Sequence, residues 1–103
     1  MPTAVDRLLA ILRETRELVA RPGAWSAWSG WDDQVEALAE IDGRIEQLAS
    51  GRLPPYRSIW VLYAPTGPIQ DWSIDNGWGR EFLDLSARLD LALDEVYPAS
   101  ERR

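Results

Sequence analysis

Apolar side chains recur every three or four residues over three long stretches of this chain, which is the spacing of one face of an α-helix. The first stretch covers residues 3–21 and begins with Thr3 as a candidate N-cap, with Asp6 three residues on as its capping-box partner. The second covers residues 31–50, and the third covers residues 77–97. In the third, the apolar positions across residues 78–96 alternate by four and three, which is the pattern of a heptad seam. The pattern therefore predicts three main helices.

The segment between the second and third of these helices allows two interpretations. Residues 55–63 begin at a proline pair and carry apolar residues at helical spacing, yet a short aromatic run is equally typical of a buried strand. Residues 65–68, Pro-Thr-Gly-Pro, predict a turn, and residues 69–74 break the helical rhythm. We favour a short helix at 55–63 followed by an ordered loop, and a β-hairpin around residues 57–75 is the alternative.

These elements predict one mainly α-helical domain, a small antiparallel bundle of three to four helices across residues 1–103. No cysteine is present, so packing alone must hold the fold together. Residues 99–103 are polar and predict a disordered tail. No apolar run approaches the ~18 residues of a membrane span. Because Arg7, Arg13 and Glu14 interrupt any signal-like segment, we expect a cytoplasmic protein that does not bind membranes.

The chain contains no histidine, no cysteine and no lysine. This composition removes imidazole proton transfer, thiolate nucleophiles and Schiff-base chemistry from the available repertoire. We therefore expect no catalytic residues, no cofactor and no metal. All eleven basic residues are arginine, which together with frequent alanine is typical of a GC-rich bacterial genome.

Negative charge dominates the chain and is concentrated in the second predicted helix. The net charge is −6, and residues 31–50 alone hold six acidic side chains against one arginine. An acidic chain without a basic stripe is a poor ligand for nucleic acid, because neutralisation of phosphates supplies most of that affinity. The same charge attracts a basic protein, so we expect a protein partner of opposite charge and no nucleic acid.

Tryptophan is the second unusual feature of the composition. The chain has six tryptophans, and four of them lie in or beside predicted loops. Large aromatic rings in loops either pin those loops as a satellite core or form an exposed binding hot spot. On the second interpretation, the aromatic loops and the acidic helix form one partner-binding surface, made of Trp25, Trp28, Trp31, Asp32, Asp33, Glu36, Glu40, Asp71, Trp72 and Asp75.

The leading hypothesis is a small acidic intracellular domain that binds a basic protein. In size, acidity and lack of cysteine the chain is similar in composition to bacterial immunity proteins, which neutralise a cognate toxin by blocking it. No motif carries this resemblance beyond composition. It implies an inhibitor whose tryptophans anchor the partner and whose carboxylates steer the encounter.

Two other classes of function remain open. The first is a small-molecule site or a magnesium-dependent enzyme, with an aromatic pocket lined by Trp60, Tyr63, Trp72 and Trp78 and with Asp71 or Asp75 as its polar group. Carboxylate pairs that share a helix face and could hold magnesium are Glu36–Glu40, Asp42–Glu46 and Asp90–Asp94. The second is a homo-oligomer that packs through the heptad seam of residues 78–96, although a seam of that length also suits an intramolecular bundle.

Overall fold

Five α-helices make up most of the chain in the computed structural model, which describes residues 1–26, 31 and 33–101. They are α1 (Ala4–Val19), α2 (Gln34–Ala49), α3 (Tyr56–Tyr63), α4 (Pro68–Asp75) and α5 (Gly79–Val96), followed by a single 3₁₀ turn at Ala99–Glu101. The described residues contain no β-strand, so the mainly α-helical class is confirmed and the β-hairpin around residues 57–75 is wrong. Among the same residues, no helix combines the length and the low polarity needed to cross a lipid bilayer.

Local sequence signals set the starts of α1 and α2. The Thr3 hydroxyl accepts a hydrogen bond from the Asp6 N–H at 3.1 Å, and the Asp6 carboxylate accepts one from the Thr3 N–H at 3.0 Å. This reciprocal pair is the capping box that the sequence predicted. In α2, Asp33 is the N-cap and accepts from the Glu36 N–H at 2.8 Å. Because Asp33 takes this position, α2 begins at Gln34, and the predicted start at residue 31 is wrong.

The segment predicted as an ordered loop at residues 69–74 is instead helix α4. Gly67 is its N-cap and Pro68 occupies the first helical position, where the missing N–H of proline costs no hydrogen bond. Ile69 and Trp72, three residues apart, are both buried. A helix of eight residues presents too few apolar positions for its period to be recognised in the sequence. The preceding helix, predicted at 55–63, is confirmed as α3.

Helix α1 packs against both α2 and α5, while α4 packs against α3 and α5. Ion pairs tie α1 to its two neighbours: Arg16 bonds Asp42 of α2 at 2.5 Å, and Arg88 of α5 bonds Glu14 at 2.7 Å. The largest side chains of the core, each less than 2% exposed, are Leu8, Leu12, Val19, Ile41, Ile59, Leu62, Ile69, Trp72, Trp78, Leu85, Leu89 and Leu93.

The heptad seam of residues 78–96 faces this core. Trp78, Phe82, Leu85, Leu89 and Ala92 are all buried within the domain. The seam is therefore packed inside the chain itself and does not offer a surface to a second copy. The predicted tail, residues 99–103, includes the 3₁₀ turn, and its last two arginines lie outside the described residues.

Candidate interaction surface

The segment that follows α1 is held against the end of α4 by a side chain that pairs with its backbone. The amide of Asn76 accepts a hydrogen bond from the Trp25 N–H at 3.0 Å and donates one to the Trp25 carbonyl at 3.0 Å. The same amide donates to the carbonyl of Trp72, the last turn of α4, at 2.8 Å. The next residue adds a further bond, since the Ser26 hydroxyl donates to the carboxylate of Asp75 at 2.6 Å. Both backbone groups of Trp25 are thus fixed.

The side chain of Trp25 projects away from this anchored backbone into solvent. It is 65% exposed, whereas Trp31, Trp72 and Trp78 are at most 4% exposed. Leaving a large aromatic ring in water forgoes the favourable burial of its apolar surface, about 2 kcal/mol or more for a ring of this size. An exposed tryptophan on a fixed backbone therefore meets two requirements of a binding hot spot: accessible apolar area and little conformational freedom to lose.

A groove between α1 and α5 opens at the same end of the molecule as Trp25. Asn76, which holds Trp25, lies three residues before α5 begins, so Trp25 is placed at the N-terminal end of α5. The groove has a volume of about 540 Å³. We call it the acidic groove; its lining residues are Glu14, Glu17, Leu18, Arg80, Glu81, Asp84, Leu85 and Arg88.

Four carboxylates face two guanidinium groups in the acidic groove, so it carries a local charge of −2. Arg88 is held by Glu14 through two hydrogen bonds of 2.7 and 3.0 Å and by Asp84 at 3.0 Å. The hydrogen bonds from Arg88 lower the pKa of the Glu14 carboxyl below its ordinary value, so Glu14 stays ionised at neutral pH. Within the described part of the chain, Glu17 and Glu81 have no arginine within ion-pair distance.

Two of the tryptophans predicted for the partner-binding surface belong to the core instead. Trp31 and Trp72 meet edge to face, with ring centroids 6.0 Å apart. The indole N–H of Trp31 donates to Glu40 at 2.6 Å. For these two rings the satellite-core interpretation is correct, and they cannot serve as exposed anchors.

The predicted acidic residues divide between structural roles and open surface. Asp33 caps α2, Glu40 accepts from Trp31, and Asp75 accepts from Ser26. Asp71 is half-buried in the first turn of α4, and Glu36 is exposed on α2. Asp75 therefore bonds the residue that follows Trp25 in the chain. The remaining two residues of the predicted surface, Trp28 and Asp32, lie outside the described residues.

The aromatic pocket of the alternative hypothesis does not assemble as predicted. Trp60 and Tyr63 line a cavity of about 230 Å³ together with Asp90, but Trp72 and Trp78 lie in the core away from it. Among the described residues, no three acidic side chains come close enough together to hold a metal ion. One member of the proposed carboxylate pairs, Asp42, is already bonded to Arg16.

The sequence offered only a partial signal for the acidic groove. Glu14 and Glu17 are three residues apart, and so are Glu81 and Asp84, so each pair predictably shares a helix face. Which two helices become neighbours is decided by the tertiary structure, so the sequence does not show that these two pairs face each other. The sequence also does not predict that Asn76 pairs with the backbone of Trp25, because asparagine before a helix more often bonds its local backbone.

No protein-family model matches the chain, and neither a curated protein nor a solved structure is significantly similar to it. The geometry of Trp25 and of the acidic groove is therefore the basis for assigning a candidate function.

Proposed function

We propose that this domain is a protein-interaction module that binds a basic partner protein, with Trp25 as its apolar anchor and the acidic groove as its electrostatic complement. The observation that supports this proposal is the fixed backbone of Trp25: Asn76 bonds both its N–H and its carbonyl while the indole is 65% exposed. A partner that covers the ring gains its burial without the cost of ordering the segment that carries it.

The acidic groove suits the side chain of an arginine or a lysine from the partner. Leu18 and Leu85 supply apolar walls for the methylene stem, and Glu17 and Glu81 supply negative charge for the cationic head. Charged groups at the edge of an interface mainly accelerate association, since they steer the diffusional encounter. We therefore expect the association rate to fall as the ionic strength rises.

We also infer that α1, α2 and α5 run antiparallel to their neighbours in the bundle. Arg7, near the start of α1, pairs with Glu95, near the end of α5. Gln34, at the start of α2, donates to the carbonyl of Val19, at the end of α1, at 2.9 Å. This arrangement supports placing Trp25, which follows the end of α1, beside the end of the acidic groove where α5 begins.

Comparative capture from a lysate of the source organism tests the proposed function. The full chain is immobilised as wild type, as Trp25→Ala and as Leu53→Ala, and retained proteins are quantified by mass spectrometry. We expect wild type and Leu53→Ala to retain a basic protein. Trp25→Ala should bind the same protein at least about tenfold more weakly, because tryptophan hot spots contribute about 2 kcal/mol or more.

Leu53 is a matched control because it is 52% exposed and lies beside Pro54, whose carbonyl accepts from Tyr97 at the opposite end of α5. Once the retained protein is purified, the variant Glu17→Gln/Glu81→Gln should slow association at low salt and have little effect at high salt. If no retained protein distinguishes Trp25→Ala from wild type, the proposed function is wrong.

A further inference from the structure

The solvent side of α5 carries an apolar stripe that no other part of the described chain covers. Leu83 and Leu91 are 65% and 67% exposed, and Ala87, exposed as well, lies midway between them. This stripe lies on the side of α5 opposite the buried seam, because Ala87 is two residues from both Leu85 and Leu89 and two residues turn the helix by about 200°.

Charged residues extend this stripe symmetrically in both directions from Ala87. Arg80 lies three residues before Leu83, and Asp94 lies three residues after Leu91. At 3.6 residues per turn all five positions fall within an arc of about 80°. We call these five residues the α5 stripe. Reversing the helix direction about Ala87 exchanges leucine with leucine and places the arginine where the aspartate was.

We propose that the α5 stripe packs against the same stripe of a second copy of this chain, with the two helices antiparallel about a two-fold axis at Ala87. In this register Leu83 contacts the partner's Leu91, and Arg80 lies opposite the partner's Asp94. Each contact occurs twice, since a two-fold interface is self-complementary. The small side chain of Ala87 at the axis lets the two helices approach closely.

A neighbouring cavity enlarges this contact beyond a single pair of helices. Leu83 and Trp60 line the same cavity of about 230 Å³, on the side of α5 that faces α3. In the antiparallel register the partner's Leu91 lies next to the mouth of this cavity. Because the contact consists of one pair of helices and its flank, we expect it to be weak, with a dissociation constant in the micromolar range.

One pair of like charges opposes the arrangement. Asp90 lies on the α3 side of the α5 stripe, and a two-fold axis keeps like sides together, so the register places Asp90 on the same side of the interface as the partner's Asp90. Each chain also carries a net charge of −6. The dimer should therefore become tighter as salt screens the repulsion, and Asp90→Asn should lower its dissociation constant.

Sedimentation velocity of the full chain, from about 10 µM to about 1 mM, tests this proposal by exchanging charges across the two-fold axis. Arg80→Asp places two aspartates opposite each other, and Asp94→Arg places two arginines opposite each other. We expect each single variant to raise the dissociation constant at least about tenfold. The double variant Arg80→Asp/Asp94→Arg restores opposite charges and should return the constant to near that of wild type.

Two further variants separate this contact from other causes. Leu83→Ser should weaken the dimer, whereas Leu53→Ser, an exposed leucine outside the α5 stripe, should not. Circular dichroism spectra confirm that each variant is folded. A wild-type chain that stays monomeric across the whole range overturns the proposal, and so does a double charge variant that remains as weak as the single ones.

Discussion

Between α3 and α4 the chain turns so tightly that residue 67 has no room for a side chain. A Cβ atom on Gly67 would lie 2.8 Å from the carbonyl oxygens of Val61 and Ala64, and these backbone atoms cannot move without disturbing α3. The adjacent Thr66 has a φ of 60°, in the left-handed region that β-branched residues rarely adopt. The turn is therefore held by its neighbours in a conformation that its own residues do not favour.

Replacing Gly67 with alanine should lower the free energy of unfolding by about 1–3 kcal/mol, the usual cost of forcing an atom into filled space. Gly43, inside α2, is the matched control because a Cβ there would meet no atom within 4 Å. Gly43→Ala should instead stabilise the protein by about 1 kcal/mol, the helix-propensity difference between the two residues. Urea denaturation measures both variants. Equal stability of Gly67→Ala and wild type would contradict this account of the turn.

At the scale of the helices, α1 and α3 are joined by a buried pair of hydroxyl groups. The Thr15 hydroxyl donates to the Ile11 carbonyl at 2.9 Å, so it accepts from the Tyr63 hydroxyl, which lies 2.5 Å away. Thr15 is fully buried and Tyr63 is 4% exposed. A buried hydroxyl without an acceptor costs the full desolvation of that group, so the two residues depend on each other.

A double-mutant cycle tests this dependence. Thr15→Val removes the acceptor and should destabilise the protein by about 1–3 kcal/mol, since the Tyr63 hydroxyl stays buried. Tyr63→Phe removes the donor. In the double variant both polar partners are gone, so its loss of stability should be smaller than the sum of the two single losses. Thermal or urea unfolding supplies the three values. Strict additivity would show that the pair is not coupled.

For the whole molecule, the composition makes the alkaline limit of stability depend on tyrosine. The chain has three tyrosines and no lysine or cysteine, so tyrosine hydroxyls are the side chains that titrate near pH 10. Burial raises the pKa of Tyr63 well above its ordinary value of 10.0. The folded state therefore holds a proton that the unfolded state releases, and stability decreases as the pH rises above about 10.

The melting temperature of wild type should accordingly fall between about pH 9.5 and pH 11, and it should fall less steeply in Tyr63→Phe. The comparison is made between the two pH profiles, because the substitution also lowers stability at neutral pH. Tyr56 is half-buried, and the variant Tyr56→Phe serves as the control for the loss of a tyrosine hydroxyl. Parallel profiles for wild type and Tyr63→Phe would exclude Tyr63 as the source of the alkaline transition.

The helices could be predicted where their signals are local. Thr3 and Asp6 predicted the start of α1, and the heptad spacing from Trp78 onward predicted α5. Helix α4 was missed because a helix of eight residues, placed by Gly67 and Pro68, depends on the packing of Ile69 and Trp72 for its stability.

The candidate site could be predicted only in part. Trp25 and Asp75 were both assigned to the predicted surface, and Asp75 bonds Ser26, the residue that follows Trp25. Trp31 and Trp72 were assigned to the same surface, but packing placed them in the core. Burial of a given ring depends on which elements cover it, and composition does not record that.

The amino-acid sequence alone determined that the protein is mainly α-helical, how α1 begins, and which catalytic side chains are missing. These properties depend on residue type and on neighbours within about one helical turn. The tertiary structure decided that Trp25 remains exposed while Trp31 and Trp72 are buried, which carboxylates meet across the acidic groove, and which face of α5 the described chain leaves uncovered. Those outcomes follow from contacts such as Asn76 with Trp25 and Arg88 with Glu14, which join residues 51 and 74 positions apart. Contacts at that separation are selected by packing of the whole domain, and no local pattern encodes them.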